Sequence, residues 1–287
     1  MAKKHNWLLY ALITVVTWGI WGAFSEVPDY PATLTYVVWA ISMVPCALAA
    51  LANIRFRLDV RPRSVALSMG VGLLGAAGQL MLFQALKHGP AYLIFPMISV
   101  APIVTVILST VFLKERVSKA GILGIVLAFV ALICFSLSNG KDSSVHGYLW
   151  LLFASGVFIC WGIQAFVMKL ANNHTPDAES IFVYMAISGV VMIPAALAMT
   201  DFSQPVNWSF NGPYLTFLVQ ILNAIGAYAL VYANRYGKAM IVAPLADAVA
   251  PVITTIISLV LYMHIPTFPQ VIGIVSAITS VLIFSKE

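Results

Sequence analysis

Apolar stretches of about 20 residues, the length that crosses the hydrocarbon core of a bilayer, recur along this chain between short polar, proline or glycine breaks. Ten can be marked off, over residues 7–27, 31–52, 65–86, 90–113, 120–138, 147–170, 179–199, 212–235, 239–263 and 268–285. Strict alternation of apolar and polar residues is absent, and lipid admits only helices or closed barrels, so each stretch predicts a helix. The gaps are too short for a soluble domain. The fold class expected is all-α integral membrane with ten transmembrane helices. The start Met1-Ala-Lys-Lys imitates a signal peptide, but residues 7–27 are long enough to span and lack an Ala-x-Ala cleavage pattern, so they read as a retained helix.

The pattern repeats. Trp7 to Ile20 (WLLYALITVVTWGI) aligns with Trp150 to Ile163 (WLLFASGVFICWGI) with seven identities in 14 positions. Further on, Gly78 matches Gly226, Ala85 matches Ala233, Lys87 matches Arg235, Gly89 matches Gly237 and Pro96 matches Pro244. After a one-residue insertion, Ala101 to Thr105 (APIVT) overlies Ala250 to Thr254 (APVIT). Leucine matches between apolar helices mean little, whereas aligned Trp, Gly and Pro at a nearly fixed offset mean a duplication. The halves are residues 1–146 and 147–287, with five spans each. An odd number forces the two halves into opposite orientations, an inverted repeat of the kind many secondary transporters use.

Basic residues then orient the chain. With a cytoplasmic N-terminus the inner side receives Lys3, Lys4, Arg55, Arg57, Arg61, Arg63, Lys114, Arg116, Lys119, Lys169, Arg235, Lys238 and Lys286, and the outer side only Lys87 and Lys141. That asymmetry places both termini in the cytoplasm and suits a plasma (inner) membrane. It also explains the net charge of +5 without an anionic partner, so nucleic acid is not expected. With 61% apolar and 9% charged residues, the chain has too few charges to solvate a globule, and membrane lipid is its medium.

Candidate chemistry is sparse, which sharpens what remains. Phosphate-binding glycine loops, His-Glu-x-x-His and metal-ligand spacings are missing, and Cys46, Cys134 and Cys160 all lie in apolar stretches. No cofactor or metal is expected. Asp247 is the one acidic residue in the middle part of a span, roughly 12 Å deep at about 1.5 Å per residue, and an ionisable group there is a functional hypothesis by default. Its repeat mate is the neutral Ser99. Three roles are open: proton carrier, counter-charge for a cationic substrate group, or structural partner of Lys169 or Arg235.

In the first span Thr14, Trp18, Trp21 and Ser25 share a face, and the sixth repeats the theme with Trp161 and Gln164. Indole rings on a cavity wall can stack on a planar or cationic solute. Trp7, Trp39, Trp150 and Trp208 read instead as interfacial belts, and Glu26 as an interfacial residue. The eighth span places Gln220, Asn223, Ala227 and Asn234 on one side, with Tyr228 and Tyr232 on an adjacent ridge, and the third offers Gln79 and Gln84. The expected substrate-binding set is Trp18, Trp21, Gln79, Trp161, Gln164, Asn223, Tyr228 and Asp247. The glycines from Gly70 to Gly78 read as close helix packing, and Pro96, Pro102, Pro244 and Pro251 as kinks or hinges.

Trp18-Gly19, then Pro102-Ile-Val-Thr followed by Leu113-Lys114-Glu115-Arg116, with Gly121 and Gly124, resemble the first repeat of the EamA-like drug/metabolite transporters. Trp161-Gly162, Pro251 and Gly273 resemble the second, and Met263-His264-Ile265-Pro266 departs from the Gly-Glu-Arg-like pattern at that point. The resemblance implies a central cavity between helices 1–4 and 6–9, peripheral helices 5 and 10, and alternating access for small metabolites. The expected function is secondary transport of a small polar metabolite, an amino acid or related nitrogenous compound, with protons as a candidate coupling ion. The alternatives are a facilitative transporter of a sugar or organic cation, and behind it a non-transporting receptor or an intramembrane enzyme.

Overall fold

The computed structural model describes residues 6–25, 27–88, 98, 101–136, 149–262, 267–284 and 286. These form α1 (Trp7–Phe24), α2 (Ala32–Asn53), α3 (Pro62–His88), α4 (Pro102–Phe112), α5 (Lys119–Ser136), α6 (Leu149–His174), α7 (Ala178–Val191), α8 (Leu215–Tyr236), α9 (Ala239–Tyr262) and α10 (Phe268–Phe284). A short helix, Ile193–Ala198, continues α7 beyond Met192, and a π-helical turn, Phe210–Tyr214, leads into α8. No strand occurs among the described residues.

Among the described residues, six segments are long and apolar enough to cross a membrane: Trp7–Phe24, Ala32–Asn53, Pro62–Leu82, Leu149–His174, Ala178–Ala198 and Phe210–Tyr236. Pro102–Phe112, Lys119–Cys134, Ala239–Thr254 and Phe268–Phe284 are shorter apolar helices over the described residues. The fourth expected span is described continuously only from Ala101 onward, and its proline Pro96 lies outside the described residues. Pro102 opens α4 at its first turn, where the missing N–H has no partner to lose, and α9 runs helical through Pro244 and Pro251.

Helix ends are set locally. Asn6 Oδ1 accepts the Leu8 N–H at 3.2 Å to start α1, and Asp177 Oδ1 accepts the Ser180 N–H at 2.6 Å to start α7. The first turn of α9 is capped from the other half of the chain, where the Glu115 carboxylate accepts the N–H groups of Ala239 and Met240 at 3.2 and 3.1 Å. The α2–α3 loop is clasped to the start of α7: Asp59 N–H donates to Ser180 Oγ at 3.1 Å, and the Tyr184 hydroxyl donates to the Asp59 carbonyl at 2.9 Å. The Arg61 guanidinium bonded to Asp59 pulls that carboxyl down to about 2, and also donates to the His174 carbonyl at 2.9 Å.

The halves interlock, since α1 packs on α8 and α9, while its repeat mate α6 packs on α3 and α4. Matched contacts recur at matched residues. Thr254 Oγ1 donates to the Gly19 carbonyl at 2.9 Å, and Thr105 Oγ1 to the Gly162 carbonyl at 2.8 Å. A Cβ on Gly19 would stand 2.5 Å from Ile253 Cβ, and one on Gly162 would stand 2.5 Å from Val104 Cβ, so both helix pairs approach closely enough to need glycine. The start of α1 and the end of α6 meet at Gly237, where Trp7 packs and Lys169 donates to the carbonyl. The repeat mates α1 and α6 therefore run in opposite directions. Outside this interlock α5 packs on α10, with Phe284 against Gly124, and Ile122, Val126, Val275 and Leu282 face outward as lipid requires.

Candidate functional site

Between the halves lies a cavity of about 440 Å³ walled by α1, α2, α3, α4, α6, α8 and α9, with single contributions from α5 and α7. Four indoles line it: Trp18, Trp21, Trp39 and Trp161. Met43, Met168 and Met185 add polarisable apolar surface, and Gln79, Thr105, Gln164, Asn223, Asn234 and Asp247 supply the polar atoms. A volume in this range holds a small metabolite, and an apolar wall with few polar groups fixes its orientation.

The indoles are held by the duplicated frame. Trp18 Nε1 donates to the Asn223 carbonyl at 3.2 Å, and Trp161 Nε1 to the Gly75 carbonyl at 3.4 Å. Asn223 and Gly75 are repeat mates, as are the glycines that make room for each ring. A Cβ on Gly226 would stand 2.5 Å from Trp18 Nε1, and one on Gly78 would stand 2.5 Å from Trp161 Cδ1. Trp21 Nε1 donates to Gln220 Oε1 at 3.1 Å, and Trp39 Nε1 to Asn223 Oδ1 at 2.8 Å. Gln164 packs across the space that a side chain at Gly75 would need.

Asp247 is the one carboxylate among the described lining residues, and no Lys, Arg or His stands among them. It makes no hydrogen bond or ion pair with any described residue. The two cations considered as its partners are engaged elsewhere. Lys169 donates to the carbonyls of Asn234, at 2.8 Å, and Gly237 at the end of α8, and Arg235 donates to those of Thr175, at 3.3 Å, and Pro176. The structural ion pair is thus absent. Asn234 Oδ1, buried on the same wall, is likewise without a partner among the described residues.

Seven residues expected from the sequence converge on this wall: Trp18, Trp21, Gln79, Trp161, Gln164, Asn223 and Asp247. Tyr228 does not join them. Its ring packs 4.8 Å from Phe182 and 5.4 Å from Tyr232, and its hydroxyl accepts from Asn53 at 3.4 Å. Tyr232 in turn bonds Glu179 and stacks 4.9 Å from Tyr10, which makes the tyrosine ridge a packing seam. Thr14 and Ser25 spend their hydroxyls on the carbonyls of Gly226 and Gly22. Ser99, Glu26 and Met263 to Pro266 lie outside the described residues.

Trp39 corrects an expectation: read as an interfacial anchor, it stands on the cavity wall with its N–H on Asn223. Its depth was the available signal, since seven residues from the start of α2 amount to about 10 Å of helix, deeper than an interface belt.

Comparison with known proteins adds the family. The model of the EamA-like transporter family matches residues 5–137 and again 148–286. The pseudopaline exporter of Pseudomonas aeruginosa is 28% identical over 206 residues, covering 68% of this chain and 69% of that one. A "Probable terminal-alkyne amino-acid exporter" of Streptantibioticus cattleyicolor is 28% identical over 259 residues, covering 86% and 84% of the two chains. A solved crystal structure superposes with a TM-score of 0.78 at 16% identity over 99% of this chain and 98% of its own, a likeness of fold. The chain belongs to the EamA-like transporter family, and is a multi-pass integral membrane transporter of small metabolites, not an enzyme.

Proposed function

We propose that this protein is a secondary transporter for a small amino compound, an amino acid or a related nitrogenous metabolite, which it carries by alternating access through the Trp-lined cavity. The observation that carries the reading is the Asp247 carboxylate, which faces the cavity without a hydrogen-bond or ion-pair partner among the described residues. A charge in a low-dielectric wall is costly unless something compensates it, and a substrate ammonium would do so only while bound. Trp18 and Trp161 supply ring faces on which a cation or planar group can rest. The names of the two exporters favour an outward direction, and one of them concerns an amino acid.

In this reading the chain makes ten crossings as two inverted units, residues 1–146 and 147–287, with both termini in the cytoplasm and the protein in the plasma (inner) membrane. The repeat-matched Trp, Thr and Gly contacts support it, because a cavity framed twice by the same bonds can open to either side by exchanging the conformations of its halves. A second reading, with Asp247 as a proton carrier, draws on the same lack of a partner. The test is reconstitution into liposomes with labelled amino acids, amines and sugars, measuring counterflow and gradient-driven accumulation. Saturable counterflow of an amine-bearing metabolite that Asp247→Asn weakens is the expected result. Counterflow of sugars alone, or amine flux indifferent to Asp247→Asn, contradicts the proposal. Loss of accumulation with unchanged exchange selects the proton role.

A further inference from the structure

The hydrogen-bonded frame of the cavity is symmetric, but its polar groups are not. At the position where the second half carries Asn223 the first has Gly75, and where the second carries Asp247 the first has Ser99. Asn223 and Asp247 stand on the adjacent helices α8 and α9, whereas the first half carries Gln79 where the second has Ala227.

Asn223 is held at two points. Its backbone carbonyl accepts from Trp18, and its side-chain oxygen accepts from Trp39 at 2.8 Å. An indole N–H can only donate, so whichever way the amide turns, the atom facing Trp39 must be the oxygen. Its NH2 group is then left for the cavity, where it makes no hydrogen bond with a described residue. Trp39 thereby converts an ambidextrous amide into a fixed donor.

The levels follow from the packing. Asn223 meets Trp18, Gly19 meets Ile253 and the Ala250 carbonyl, and Asp247 lies six and three residues from these two toward the Gly237 end. The donor and the acid therefore stand one to two helical turns, roughly 5–9 Å, apart along the bundle. Resting on the amine reading above, we infer that Trp39 is a positioning residue that aims the Asn223 amide as a donor, so that the cavity takes a substrate carrying an ammonium for Asp247 and a carboxylate or carbonyl oxygen for Asn223. Selection is for amphoteric compounds over plain amines.

The test uses matched probes that differ by a carboxylate: phenylalanine with phenylethylamine, γ-aminobutyrate with propylamine, and lysine with cadaverine. Binding to the purified full-length protein is measured for wild type, Trp39→Phe, Asn223→Asp and Asp247→Asn, with thermal unfolding recorded for each. In at least one pair the wild type should prefer the carboxylate-bearing member about tenfold, the scale of one hydrogen bond to a charged group. Trp39→Phe keeps an aromatic ring but frees the amide to turn, so it should erase that preference by weakening the carboxylate-bearing member more than the amine. Asn223→Asp still satisfies Trp39 but puts a second negative charge where the donor was, so it should erase or invert the preference by disfavouring the carboxylate-bearing member, and it carries the test if Trp39→Phe is unstable.

Equal weakening of both members by Trp39→Phe and Asn223→Asp, or no change in either, overturns the inference, as does a wild type without preference in any pair. Unaltered amine binding in Asp247→Asn instead overturns the counter-charge reading, which is a separate result.

Discussion

The duplicated seats of Trp18 and Trp161 make Gly226→Ala and Gly78→Ala a matched pair of perturbations. The added methyl would start 2.5 Å from Trp18 Nε1 in the one and 2.5 Å from Trp161 Cδ1 in the other. Ordinary contact begins near 3.4 Å, so each ring must withdraw by roughly 1 Å or the helices must separate. Overpacking of this kind costs about 1–3 kcal/mol. The withdrawal also breaks an indole bond, 3.2 Å at Trp18 and a weaker 3.4 Å at Trp161, for about 1 kcal/mol more. Replacing a helix-interior glycine returns about 0.5–1 kcal/mol. The net destabilisation is about 2 kcal/mol, which for a chain of this size lowers Tm by about 4–8 °C. Thermal unfolding in detergent, read beside substrate binding, is the assay. Both variants should lose stability and bind more weakly, and Trp18→Leu in the Gly226→Ala background should restore stability but not binding. Unchanged Tm and binding in both variants would refute the reasoning, and loss in only one would refute its symmetry.

Lys169→Met removes the donor from the last carbonyls of α8 and should cost about 1.5–3 kcal/mol in stability. Adding Asp247→Asn should not restore it, and restoration by neutralising the acid would reinstate the ion pair. Single cysteines in a cysteine-free background should label from the cytoplasmic side at Val60, 74% exposed, and from the outside at Phe202, 60% exposed. The reverse pattern would invert the orientation. The Asp59 carboxyl, held by Arg61 at about 2 in the folded protein, is depressed from an ordinary 3.8, so its contribution is present above 3.8 and lost as pH falls toward 2. The Tm difference between wild type and Asp59→Asn should narrow over that window, and a difference that widens on acidification would contradict the assignment.

The repeat was legible because Trp, Gly and Pro carry positional meaning in helices, and the structure shows why: Trp18 and Trp161 need the glycines that face them. Asp247 was legible because a lone acid in a span has few innocent explanations. What failed was rotational phase. Asn223, Ala227, Leu230 and Asn234 fall within one stripe of α8 and all reach the cavity. Tyr228 stands five residues from Asn223, about 140° around the helix at 3.6 residues per turn, and meets Phe182 instead. Gln84 stands five residues from Gln79 and is likewise absent from the wall. A span that is apolar all round does not announce which face its neighbours will cover. The depth of Trp39 in α2 argued against an interfacial belt, but its bond to Asn223 depends on where α2 crosses α8, which no single-span pattern contains.

The role proposed for the Asp247 carboxylate is to compensate the ammonium of the substrate. Its most direct test is the affinity of wild type and Asp247→Asn for an amine substrate and for the N-acetylated form of the same molecule, which keeps the shape but not the charge. The wild type should prefer the free amine by about tenfold or more, and Asp247→Asn should abolish the preference by losing affinity for the amine alone. An undiminished preference in Asp247→Asn would contradict it.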